Sequence, residues 1–262
     1  MVYRPPFHNS RKKTVIMLTA IVSIFFYALV LVWSLAVFAV MLVLYIFTVP
    51  FDRERIVLHA VSRMWARSLF MFNPLWKLKV YGRENINTEE AYVITVNHQS
   101  FLDIPLMYAL NGINFKWVAK TWVYRIPLFG AVMWLHGDIT VSEKGSVRMT
   151  KVMMDRGKKH LAAGTSVIIF PEGTRSHDGE IHRFKDGAFT LAREAGVPVL
   201  PCVINGAKEY LNGWRVRKNV FEISIMPPIP AETVKETPAR ELRDEVREKS
   251  VAELARLRSA CK

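Results

Sequence analysis

The chain has 262 residues, enough for one large domain or two small ones. Its composition, 51% hydrophobic and 23% charged, excludes a disordered, collagen-like or low-complexity protein. Lysine and arginine outnumber aspartate and glutamate 36 to 23, and the resulting formal charge of +13 points to an anionic partner: nucleic acid, an anionic membrane surface or a phosphorylated substrate. The two cysteines, Cys202 and Cys261, lack metal-site spacing, no HExxH pairs the seven histidines, and no metal or cofactor is expected.

From Thr14 to Phe51 the chain runs 38 residues without a charge. About 20 apolar residues suffice to cross roughly 30 Å of hydrocarbon. One long tilted span or a two-helix hairpin both fit, and no Gly or Pro interrupts the run before Pro50. A cleavable signal would carry an apolar core of only about 7–15 residues, so residues 1–52 read as a basic flank and a retained membrane anchor. Arg4, Arg11, Lys12 and Lys13 precede the anchor; Arg53, Arg55, Arg63 and Arg67 come after it. Both flanks therefore favour the cytoplasmic side, as in a hairpin or re-entrant insertion. Residues 53–79 read as an interfacial amphipathic connector. In it, Trp65, Phe70, Phe72 and Trp76 either sit at headgroup level or pack on the domain beyond residue 79.

Residues 80–262 alternate strand-like and helix-like pieces. Ala91–Val96, Phe115–Ala119, Ser166–Phe170, Val199–Ile204 and Val220–Ile225 are apolar runs with strand character. Phe101–Leu110, stopped by Asn111-Gly112, Ser146–Ala163, stopped by Gly164, and Gly187–Glu194 read as helices. Thr237-Pro238 opens a charged helix, Ala239–Arg258, with a stripe of Leu242, Val246, Leu254 and Leu257. The interleaving predicts one α/β domain, a mixed, mostly parallel sheet flanked by helices, with the hydrophobic helix or hairpin at its N-terminus.

Two polar segments come directly after buried strands. In Asn97-His98-Gln99-Ser100-Phe101-Leu102-Asp103, His98 and Asp103 would lie about 140° apart on a regular helix and miss each other. If His98 sits in the strand-to-helix turn and the helix begins near Ser100, the imidazole folds back onto the carboxylate. Asp103 then fixes its tautomer and stabilises the imidazolium. There is no GxSxG elbow and neither cysteine is near, so a substrate hydroxyl is the proton source. The second segment is Phe170-Pro171-Glu172-Gly173-Thr174-Arg175-Ser176. Arginine binds phosphate oxygens in a bidentate manner, Gly173 allows close backbone approach, Thr174 and Ser176 add hydroxyls, and Glu172 aims Arg175 or accepts a substrate hydroxyl. Open α/β sheets bring such loops together at strand ends.

At these residues the chain resembles the glycerolipid acyltransferases, specifically the 1-acylglycerol-3-phosphate acyltransferase family. NHQSFLD resembles that family's NH-x4-D block, FPEGTRS its phosphate-binding EGTR block, and Val197-Pro198-Val199-Leu200-Pro201 a later V-P-[apolar]2-P block. Lys120 falls where the family carries a lysine implicated in phosphate binding. One block departs: Gly137-Asp138-Ile139-Thr140-Val141-Ser142 has Ser142 in place of the family's arginine, with Lys144 and Arg148 nearby.

The resemblance implies that His98, oriented by Asp103, acts as general base on the sn-2 hydroxyl of lysophosphatidic acid. The oxygen then attacks the thioester of acyl-coenzyme A or acyl carrier protein and yields phosphatidic acid. Arg175 and Lys120, with Glu172, Gly173 and Thr174, would bind the substrate. Oxyanion donors are sought among the amides near Gly173 or after His98. The expected partners are membrane lipids, lysophosphatidic acid and the acyl donor, at a bacterial inner (cytoplasmic) membrane with the catalytic domain on the cytoplasmic side. Another lysolipid acceptor, or a non-catalytic lipid-binding protein, are the alternatives. No nucleic-acid motif accompanies the charge. His177 and His182 read as solvated loop residues, His136 is ambiguous, and Phe184-Lys185-Asp186-Gly187 places a helix amino end near phosphate.

Overall fold

The computed structural model describes residues 7–110, 112–142, 147–208 and 215–260, with backbone only over 7–16. Asn111, Lys144 and Cys261, like Arg4, lie outside the described residues. The uncharged segment forms one uninterrupted helix, α1 (Phe7–Thr48), not a hairpin. Its 42 residues span about 63 Å at ~1.5 Å per residue. Asp52 ends the turn after it; its two carboxylate oxygens accept the Ile56 and Val57 amides at 2.8 Å and start α2 (Ile56–Phe72). Orphan amides of a first turn are met here by a charge of the favourable sign.

The helix α1 does not project freely. Ser23, Phe26, Val37 and Met41 form a buried stripe at helical spacing against α2 and the body. Its polar groups are matched: Trp33 Nε1 donates to Ser68 Oγ at 2.7 Å, Trp65 Nε1 to Ser34 Oγ at 3.0 Å, and the Val216 amide to Ser23 Oγ at 2.8 Å. On the opposite side Ile24, Phe25, Val32 and Phe47 are exposed. An apolar face of this extent suits lipid rather than water.

After α2 come β1 (Trp76–Tyr81), β2 (Val93–Val96), α3 (Asp103–Met107), β3 (Phe115–Lys120), α4 (Phe129–His136), β4 (Ile139–Val141), α5 (Val147–Ala162), β5 (Ser166–Ile169), α6 (Gly187–Ala195), β6 (Val199–Asn205), β7 (Asn219–Ile225), α7 (Ala231–Glu236) and α8 (Ala239–Ala260). The strands make one sheet in the order β1-β7-β6-β2-β5-β3-β4, parallel at each pairing except β6 with β7. The expected mixed, mostly parallel sheet is present. All four residues of β2 are buried, as befits a central parallel strand covered on both faces. Ile94 and Val96 face the layer of α1, α2 and α3; Val93 faces α5, α6 and α8. The stripe Leu242, Val246, Leu254 and Leu257 holds α8 on that second face.

Several elements differ from the sequence reading or decide between its alternatives. The helix after His98 is only Asp103–Met107, because the residues before it bend around the Asp103 carboxylate. Trp76 belongs to β1 and is buried edge-on to Phe26, Phe70 and Phe221, so it packs on the body instead of lying at headgroup level. The helix α2 and the short strand β4 were not anticipated as elements.

Candidate active site

Three parallel strands adjacent in the sheet, β2, β5 and β3, deliver polar residues from their carboxyl ends: Asn97-His98 from β2, Pro171–Ser176 from β5, and Lys120 from β3. This edge is where open parallel sheets form their clefts. Asn97 fastens the first turn. Its side chain accepts the Ile204 amide at 2.7 Å and donates to the Ile204 carbonyl at 3.0 Å, copying a strand partner on β6. His98 comes next in the turn, and Nδ1 lies 2.7 Å from Asp103 Oδ2.

Asp103 is fully buried, and the same Oδ2 accepts the Gln99 and Ser100 amides at 2.6 and 2.8 Å. An oxygen that receives two backbone N–H groups is an acceptor, so the third contact requires the proton on Nδ1. The Nε2 lone pair is then directed into the cavity that His98 lines. The imidazole is held flat by Phe170, 3.9 Å away between ring centroids with a 16° interplanar angle, and Phe170 stacks in turn on Trp117 at 5.6 Å.

The second loop is stitched onto the first across His98. The His98 amide donates to Glu172 Oε1 at 3.0 Å, and its carbonyl accepts the Ser176 amide at 2.8 Å. The other Glu172 oxygen accepts the His182 amide at 3.0 Å. Glu172 is thus a buried strap between loops, where the sequence reading sent it to Arg175 or a substrate hydroxyl, and burial pushes its carboxyl upward. Gly173 turns the loop at φ 72°, and a Cβ there would stand 2.8 Å from Lys185 Nζ. Lys185 can swing aside, so it is the positive φ that calls for glycine here.

Arg175 and Thr174 are exposed at the cavity mouth, with the Arg175 guanidinium 4.3 Å over the Phe101 ring. Lys120 and Lys185 line the same cavity, and among the described residues neither they nor Arg175 has a carboxylate partner. The sequence reading set Phe184-Lys185-Asp186-Gly187 near phosphate as a helix amino end without giving the Lys185 side chain a role; it lies between buried Phe184 and the start of α6. Ser142 lines the wall, while Arg148, expected near it, is exposed on α5 and outside the lining. His177 is exposed at the mouth, His182 pairs with Asp178 at 2.9 Å, and His136 is buried against Ser62 at 2.8 Å. Three of the candidate oxyanion amides are committed: those of Gln99 and Ser100 to Asp103, and that of Gly173 to the Phe170 carbonyl.

The cavity has a volume of about 920 Å³, and it runs from His98 and the cations inward past Trp117 and Met133 to Ser34, Val37, Phe38 and Met41 of α1. The apolar helix is therefore one wall of the reaction chamber. Polar at the mouth and apolar within, the chamber matches an amphiphile with an anionic head.

Residues 77–205 match the family model described as Acyltransferase. The chain's curated relatives carry a narrower name. It is 35% identical over 203 residues to a 1-acyl-sn-glycerol-3-phosphate acyltransferase of Chlamydomonas reinhardtii, covering 77% of this chain and 60% of that protein. It is 31% identical to the alpha enzyme of that name from Homo sapiens, with 65% and 61% covered, and 28% identical to that of Escherichia coli, with 69% and 76% covered. The chain thus spans less than two thirds of the length of the first two. The crystal structure of the 1-acyl-sn-glycerophosphate (LPA) acyltransferase PlsC from Thermotoga maritima superposes with a TM-score of 0.75 at 23% identity, over 92% of this chain and 97% of that one, and shows the shared fold.

Proposed function

We propose that the protein is a membrane-associated acyltransferase that moves a fatty acyl group from a thioester to the sn-2 hydroxyl of 1-acylglycerol-3-phosphate and releases phosphatidic acid. The observation that carries this reading is the His98–Asp103 pair at 2.7 Å in a cavity whose mouth holds three cations without carboxylate partners among the described residues. The names of the relatives support the acceptor. His98 Nε2 takes the proton of the sn-2 hydroxyl as its oxygen forms a bond to the thioester carbonyl carbon. The C–S bond then breaks, and the imidazolium returns the proton to the departing sulfur. Asp103 stabilises that imidazolium without leaving its two amide donors. General-base assistance of this kind contributes about 10²–10⁴-fold.

Arg175, Lys120 and Lys185 hold the phosphate, converting binding into alignment of the hydroxyl with Nε2. Gly173 and Thr174 bring the loop close to it, and Glu172 positions His98 rather than touching substrate. The acyl chain occupies the apolar limb between Trp117 and α1. The outer face of α1, together with exposed Phe51, Met71 and Leu75 of the 48–79 segment, faces lipid. Substrate then enters from the bilayer beside α1 and need not cross water. Arg53, Arg55, Arg63 and Arg67, on the side of α1 that leads into the body, support a cytoplasmic body. Coenzyme A and acyl carrier protein both satisfy the chemistry of the donor.

The test supplies purified protein in lipid with lysophosphatidic acid and labelled acyl-coenzyme A or acyl carrier protein. Labelled phosphatidic acid is the expected product. Turnover of a different lysolipid with none of lysophosphatidic acid would transfer the reading to that acceptor, as Ser142 in place of arginine invites. Transfer to no acceptor would end it.

A further inference from the structure

The inner limb of the cavity is not uniformly apolar. Beyond Phe170 the wall carries Ser62, Tyr108, Trp117 and Asp138, each at most 5% exposed. Asp138 Oδ1 accepts the Trp117 backbone amide at 2.9 Å, and no hydrogen bond among the described residues occupies its other oxygen. Trp117 Nε1 makes no well-aligned hydrogen bond among the described residues. The Tyr108 hydroxyl interacts with both Trp117 and Ser62, and Ser62 Oγ is tied to His136 Nε2 at 2.8 Å. An unused acceptor and an unused donor therefore share one buried stretch of wall.

A plain methylene chain threaded past this stretch expels water and leaves both groups unpaired, which is costly in an apolar setting. A hydroxyl satisfies both at once, since it donates and accepts. Resting on the acyltransferase reading, we infer that Tyr108, Trp117 and Asp138 form a subsite for a hydroxyl carried in the middle of an acyl chain. The ring stack sets the position. Trp117 is two steps from the His98 imidazole, 3.9 and 5.6 Å between centroids, so the hydroxyl sits several carbons from the thioester and not beside it. The chain is that of the donor, whose thioester meets His98 at the head of this limb.

The experiment measures kcat/KM for octadecanoyl-coenzyme A, its mid-chain hydroxy derivative and its β-hydroxy derivative, with unsubstituted lysophosphatidic acid as acceptor. The mid-chain hydroxy donor is expected to be preferred over the plain donor by about tenfold, the worth of one well-made hydrogen bond, and the β-hydroxy donor is not. Asp138→Asn and Tyr108→Phe each bring that ratio towards one; two variants guard against one failing to fold. A mid-chain hydroxyl on the lysophosphatidic acid, with a plain donor, forms the second arm. A preference found only there reassigns the limb to the acceptor chain and overturns the donor assignment. Ordinary turnover with a ratio of one or less in both arms overturns the subsite and leaves the acyltransferase reading standing. No turnover of any donor would instead sink the acyltransferase reading, and this inference with it.

Discussion

The cavity mouth and the α8 layer hold their charges in opposite ways. On and around α8 cations meet carboxylates: Arg243 pairs with Asp186 and Asp244, Lys249 with Glu245, Arg256 with Glu253, and Arg258 with Glu180. At the mouth, Arg175, Lys120 and Lys185 have no carboxylate partner among the described residues. The nearby carboxylates, Asp103 and Glu172, are already occupied by backbone amides and His98. A charge paired within the fold serves the fold; a charge left unpaired in a concave site creates a positive field that an anionic headgroup completes. The contrast predicts that substitutions at the mouth change activity with little change in stability, and that substitutions of the paired cations on α8 leave activity unchanged.

The largest expected effect tests the mouth. His98→Ala should lower kcat by about 10²–10⁴-fold while the thermal midpoint stays near wild type. Asp103→Asn should lower it comparably, because an amide cannot accept the two backbone N–H groups and Nδ1–H from one oxygen while stabilising an imidazolium. Equal acyl transfer by wild type and His98→Ala would remove the base from its role. Next in size, Arg175→Ala should raise KM for the phosphate-bearing acceptor by about 10–100-fold, as expected for losing a charge-assisted contact. Lys249→Ala, on the exposed side of α8, should leave KM unchanged and cost less than about 0.5 kcal/mol of stability. A KM change of similar size in both variants would break the contrast.

Much of this mouth is legible in the amino-acid order, and the reasons differ from residue to residue. His98 and Asp103 can meet only if the histidine precedes the helix, and the apolar run before it places it there. Their partnership is thus local and visible. The role of Glu172 is not local: its acceptor oxygens reach the amides of residues 98 and 182, and no spacing rule links those positions. The same applies to α1. A helix apolar on every side gives no periodic signal for its docking face, and Ser23 meets its partner, the Val216 amide, 193 positions away. In β1 the alternation of Trp76, Leu78 and Val80 with Lys77 and Lys79 is a strand pattern. Reading the aromatics and lysines as an interfacial mixture hid it. Lys185 reaches the cavity because its amide donates to the Pro171 carbonyl at 2.8 Å, a tie to the loop after β5 that no spacing rule reveals.

The inner limb sharpens the comparison, because Asp138 is a buried carboxyl with neither a strap's full set of amides nor a surface partner. Burial pushes it up to about 7; nearby Lys116 and the Trp117 amide pull the other way. His136, also close, is held down to about 3 by burial and by Lys116, so it is uncharged near neutrality. Tyr108 and Tyr124 beside Asp138 are pushed up and stay protonated. Between the ordinary value near 3.8 and about 7, the folded chain keeps a proton on Asp138 that the unfolded chain has released. The folded state binds more protons there, so this group's contribution to stability falls as pH rises through that window and levels off above it. The urea midpoint of the solubilised protein should therefore fall between about pH 5 and about pH 8, and Asp138→Asn should flatten that part of the profile. An unaltered slope in the variant would assign the pH dependence to another group.

The smallest effect concerns a strained turn beside the same limb. Leu128 lies at φ 63° and ψ −53°, and the Phe129 amide donates to the Pro127 carbonyl at 2.7 Å, closing a three-residue γ-turn. A side chain in this conformation costs roughly 1–3 kcal/mol. Its side chain lines the cavity just before α4, so the strained turn presents an apolar group to the cavity. At an ordinary helix or strand position glycine is less stable than alanine by about 0.5–1 kcal/mol. Here the order should invert, because Leu128→Ala keeps the strained Cβ and loses the packing whereas Leu128→Gly loses the packing but releases the strain. Thermal midpoints of the two variants should place Gly above Ala by a few degrees. Both should accept bulkier acyl chains than wild type, since both remove the same isobutyl group from the wall. The usual order, with Ala above Gly, would show that the turn relaxes when the side chain is cut back and that the leucine alone holds it in place.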